Sequence, residues 1–148
     1  RDETRKLLLL QNIAFLPLFR EAMRGRGEVE NRALDKLEPQ ALPPAQDAAL
    51  ADIFVDVSRD QLAAAGKTLA YLQEDNPAGP LIDEARRLIF LKGTDSHDYK
   101  FSSAVLEDYH HISRSWRDHY LAASVFQLRG SEARDNELVQ RIRTALNG

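Results

Sequence analysis

Apolar positions recur along this chain at spacings of three and four residues, and no stretch sustains the two-residue alternation of a half-buried strand. That rhythm predicts helices packed through one face, and β-branched residues are too sparse to argue for strands. The first helix is expected over 2–24. Leu7, Leu8, Leu9, Leu10, Ile13, Phe15, Leu16, Leu18 and Phe19 cover nearly every side of it, and a helix apolar all round is one surrounded by protein. Pro17 has no N–H for the Ile13 carbonyl, so a kink is expected there. Gly25 and Gly27 end the segment. A short helix over 28–37 then precedes a linker enforced by Pro39, Pro43 and Pro44.

Leu50, Ile53, Phe54 and Val57 mark one face of a helix over 47–57. Ser58 is placed to cap the next helix. Gln61 stands where a capping box needs it, and Val57 and Leu62 are spaced for a hydrophobic staple. This helix reaches about residue 75 with Leu62, Ala65, Leu69 and Leu72 inward. Another over 80–92 carries its acids early and its bases late, the order its dipole favours, and Gly93 suits the C′ position. After a polar loop at 94–100 come helices over 101–112 and 115–129, the second closed by Gly130. A last helix, 135–146, points Leu138, Val139, Ile142 and Leu146 inward. The expected fold is therefore all-α, a compact single-domain bundle of six or seven helices over 1–148, with the 115–129 helix central.

Composition narrows the possible functions. With 148 residues the chain can bury about two-thirds of its unfolded surface, and 43% hydrophobic with 29% charged residues is ordinary for a soluble protein. A net charge of -3 disfavours nucleic acid as the main partner. The absence of cysteine removes disulfides, thiolate metal sites and thiol nucleophiles, and suits cytoplasm and periplasm equally. The apolar run Leu7–Phe19 is broken by Gln11, Asn12 and Pro17. It lacks a signal-peptide cleavage pattern and is too short to span a bilayer. No membrane span is expected. A protein partner or a second copy is expected to cover the 5–23 helix.

Candidate chemistry collects between Gly93 and Tyr120. This stretch holds all four histidines, three of the four tyrosines, the one tryptophan and five acids: Asp95, Asp98, Glu107, Asp108 and Asp118. Placing Val105 on the core face puts Tyr109 and Ile112 beside it, and Glu107, His110 and His111 opposite. Those three are either a solvated stripe or, facing a cleft or second subunit, a carboxylate orienting imidazoles for a metal ion or proton transfer. Glu107-x-x-His110 occurs once, whereas carboxylate-bridged dimetal bundles use the motif twice. On the next helix His119 lies among Trp116, Ala123 and Phe126 and is expected to be partly buried. His97 and Asp98 belong to the preceding loop, where Asp95 or Ser96 is placed to cap the following helix. The candidate binding set is His97, Asp98, Tyr99, Asp108, Tyr109, Trp116, His119 and Tyr120; the candidate metal set is Glu107, His110 and His111.

Two familiar motifs fail. Gly66-Lys67-Thr68 ends like a phosphate-binding loop, but Gln61 stands where its first glycine belongs and the triplet falls within a helix. A calcium loop starting at Asp56 would need glycine at 61 and glutamate at 67, where the chain has Gln61 and Lys67. Two function classes remain: a helical binding or interaction module, such as one subunit of a larger assembly, and a metal- or cofactor-dependent enzyme using residues 93–120.

Overall fold

A computed structural model describes residues 2–26 and 32–147 of the chain. Among the described residues there are seven α-helices, four short 3-10 turns and no strand, so the all-α expectation holds. Two compact units are described in turn, Arg1–Arg32 and Ala33–Gly148.

The first unit is a single long helix, α1 (Asp2–Met23), followed by a 3-10 turn at Arg24–Arg26. Asp2 and Glu3 open it and Arg20 lies in its last turn, charges that complement the helix dipole. Pro17 lies inside it. The apolar pattern called for protein around this helix, from the bundle or from another chain; none of its residues is buried within this chain, and its leucines, isoleucine and phenylalanines are exposed. Side chains this large on every face need neighbours on every face.

The second unit opens with a 3-10 turn at Leu34–Lys36, the one described part of the helix expected over 28–37 to be helical; residues 28–31 lie outside the described residues. Then follow α2 (Gln46–Arg59), α3 (Gln61–Gln73), α4 (Ala78–Lys92), α5 (Ser96–Asp108), α6 (Arg114–Ser124) and α7 (Glu137–Asn147). The core gathers Ile53, Phe54, Tyr71, Leu81, Leu88, Leu106, Leu121 and Val125, each Leu or Ile contributing roughly 2 kcal/mol through burial.

The central position belongs to α3, not to α6 as expected. It packs against both α2 and α6, and eight of its thirteen residues are buried. Ala64, Ala65, Gly66 and Ala70 keep it thin enough for neighbours to close on several sides. At Gly66 the incoming segment crosses so near that a Cβ would stand 2.8 Å from the Glu38 carbonyl oxygen, and the Gln40 amide donates to the Gly66 carbonyl at 3.1 Å. Lys67 reaches Asp52 at 2.6 Å and Asp56 at 2.7 Å on α2, and those two bonds raise its pKa above the ordinary lysine value. Asp56 and Lys67, from the two failed motifs, thus tie α2 to α3.

Three local features differ from expectation. Asp60, not Ser58, caps α3, its Oδ1 accepting from the amides of Leu62 and Ala63 at 3.0 Å; a carboxylate is the stronger acceptor. Ser58 stays in α2, and its hydroxyl accepts from the Glu132 amide instead. Gly93 ends α4 at φ −65, outside the left-handed region, and the positive φ belongs to Asp75 after α3. On α7 only Val139 is buried, whereas Leu138, Ile142 and Leu146 are exposed. Polar ties hold the start of that helix: Asn136 bonds the carbonyls of Phe90 and Leu91, and Asp135 bridges Lys92 and Arg143 at 3.1 Å each.

Candidate functional site

The loop expected over 94–100 is short, because α5 begins at Ser96. Asp95 caps it: its Oδ1 accepts from the amides of His97 at 2.6 Å and Asp98 at 3.3 Å, and Asp98 reaches back to the Asp95 amide in a reciprocal capping box. The cap is the bland reading of this segment, and it holds. Ser102, seven residues beyond Asp95, is buried and donates to the Tyr99 carbonyl.

Asp98 does more than cap. Its carboxylate accepts from the Thr94 amide at 2.8 Å and takes the Arg129 guanidinium in a two-point pair, Nη2 at 2.6 Å and Nε at 3.1 Å. Arg129 also donates to the Thr94 hydroxyl. The Asp98 side chain is only 12% exposed. Burial pushes its pKa up, but the Arg129 and backbone bonds outweigh burial and hold it below the ordinary carboxylate value. Arg129 lies 31 residues away in sequence, and no local pattern announces it. Tyr99 donates its hydroxyl to the Gly93 carbonyl at 3.1 Å, while the His97 ring stays in solvent with its Nδ1 3.4 Å from Asp95.

The same junction secures the chain after α6. Gly130 sits so close to α2 that a Cβ would fall 2.5 Å from the Ser58 nitrogen and 2.9 Å from the Phe54 carbonyl oxygen. Ser131 donates its amide to that same carbonyl at 2.8 Å, and Arg59 pairs with Glu132 at the surface.

At its other end α5 stops at Asp108, and Tyr109–His111 form a 3-10 turn. This changes the angular spacing on which Glu107, His110 and His111 were expected to meet. All three are exposed, and among the described residues no group of three or more His, Asp or Glu side chains is gathered to hold a metal ion. What converges here is aromatic and cationic. The Arg117 guanidinium lies 5.3 Å from the Tyr109 ring centre, and His110 meets that ring edge-on at 5.3 Å. Arg117 also donates to the Ile112 carbonyl at 3.1 Å. Burial, with Asp118 nearby, raises the Tyr109 pKa against the opposing pull of Arg117. Burial, with Asp108, raises that of Tyr120.

Trp116 and His119 stand one turn apart on α6, ring centres 6.0 Å apart. His119 is half-buried, as its place on the helix implied, but Trp116 remains 47% exposed. The sequence-predicted set therefore separates into a capping network around Asp98, an aromatic junction of Tyr109 and His110 under Arg117, and a Trp116–His119 pair on α6. Arg129 and Arg117, which hold the first two groups, were not in that set. Compared with family models, curated proteins and solved structures, the chain matches none. Among the described residues no helix is long and apolar enough to cross a membrane.

Proposed function

We propose that this chain is a helical interaction module whose partner-binding element is α1. One observation carries the reading: nine large apolar side chains between Leu7 and Phe19 are each 49–69% exposed, along a run with no charged residue. Surfaces of that size and continuity mark interaction sites in folded proteins. The capping network and the aromatic junction support the reading from the other side, because their strongest polar groups are engaged in holding helices together. The second unit has a core of its own and serves as the body that carries α1.

The test compares the full chain with Leu8→Glu/Leu16→Glu, which places charge on two sides of α1. The parent should either associate or bind a dye that reports apolar surface, and the variant should do neither while keeping its helical circular dichroism. A parent that is monomeric and dye-silent would overturn the proposal.

A further inference from the structure

Resting on that reading, we infer that the partner of α1 is α1 of other copies, packed antiparallel in a bundle of more than two helices. A single flat partner covers one stripe of a helix, whereas α1 presents large apolar side chains on every face, so several neighbours are required. The available surface is sufficient. Nine Leu, Ile and Phe side chains at about half exposure or more offer on the order of 900 Å² per copy, against about 800 Å² per partner in a stable interface.

Direction follows from charge. In a parallel bundle Asp2, Glu3, Arg5, Lys6, Arg20, Glu21 and Arg24 would each lie beside its own kind. An antiparallel register centred on Ile13 sets Asp2 against Arg24 and Arg5 against Glu21, leaving Lys6 opposite Arg20 as the one like-charged facing. Glu21 already reaches Arg24 of its own helix at 2.7 Å, so the arriving Arg5 and Asp2 would extend an existing pair into an alternating row. Opposed helix dipoles favour the same direction. A bilayer is the poorer occupant: the thirteen-residue run Leu7–Phe19 extends about 20 Å, short of a hydrocarbon core about 30 Å thick, and α1 lacks the polar face of a helix lying in the interface.

The absence of cysteine makes the test direct. Thr4→Cys and Ala22→Cys place single thiols near opposite ends of α1, about 27 Å apart along the axis, and a disulfide forms only where Cα atoms come within about 7 Å. Light scattering on the full chain should give a mass of more than two 16.7-kDa copies. Oxidation of the mixed variants should yield the Thr4→Cys to Ala22→Cys adduct at least tenfold over either self-adduct. Self-adducts in excess, or a dimer alone, would overturn the antiparallel higher-order bundle. A monomer that still binds apolar-surface dye would overturn self-association while sparing α1 as a site for a different protein. A monomer silent to dye would remove both.

Discussion

The two ends of α5 carry similar residues and have opposite fates. Both are rich in acids, histidine and tyrosine. At the first end Asp95 and Asp98 lie within the helix's opening turn, where unpaired backbone amides need acceptors, and the carboxylates are fully engaged. At the second end the helix needs donors for its last carbonyls, and Glu107 and Asp108 cannot supply them; the chain tightens into a 3-10 turn and the imidazoles face water. Proximity in sequence organises polar side chains only where the backbone has a matching demand.

If that contrast is right, the second end is held by the core beneath it rather than by its polar residues. Val125, fully buried in the 3-10 turn after α6, offers the harshest test. Val125→Asp buries an unpaired carboxylate and should cost about 4 kcal/mol or more, enough to abolish cooperative unfolding. Soluble mutant protein with a parental melting curve would mean that this turn does not carry the junction.

Asp98→Ala sharpens the contrast from the first end. It removes the capping box and strands Arg129, and should cost about 2 kcal/mol in urea unfolding. The matching change at the far end, Asp108→Ala, should stay within about 0.5 kcal/mol. Equal losses would erase the distinction between the two ends.

Acid titration gives a smaller signal of the same kind. The folded pKa of Asp98 is depressed, so its stabilising contribution is complete above the unfolded value of about 3.9 and is lost as pH falls through the lower folded value. The stability gap between the parent and Asp98→Asn should therefore be flat at neutral pH and narrow below about pH 4. A gap that widens in acid would contradict the assignment. The smallest effect belongs to His110→Gln and His111→Gln, both exposed, which should leave stability within about 0.5 kcal/mol. A loss beyond 2 kcal/mol would show that the turn's imidazoles are engaged after all.

Helix content and most inward faces were legible in the sequence, since Ile53, Phe54, Val57, Leu69, Leu72 and Val125 repeat at helical spacing and are buried. The Asp95 cap was legible too, being a local bond between residues two and three apart. What could not be read was long-range or terminal. Arg129 finds Asp98 through the fold of the intervening α6, and Lys67 finds two aspartates on another helix. The 3-10 ending of α5 depends on how the chain must turn into α6, which periodicity does not encode. Spacing alone also placed the apolar row of α7 inside, because it records which side chains avoid water and not whether enough protein exists to cover them.

The position of Trp116 has a consequence for any spectroscopic study of this protein. The one indole of the chain sits in the first turn of α6, half in water, so its emission in the native state is that of a partly solvated ring and changes modestly on denaturation. Tyr71 is the opposite case: fully buried, with its hydroxyl donating to the Pro77 carbonyl and accepting from Gln46. The difference in tyrosine absorbance between the parent and Tyr71→Phe therefore follows loss of the core, while tryptophan fluorescence follows events at the α5–α6 junction. The two signals separate global unfolding from local opening without an added label.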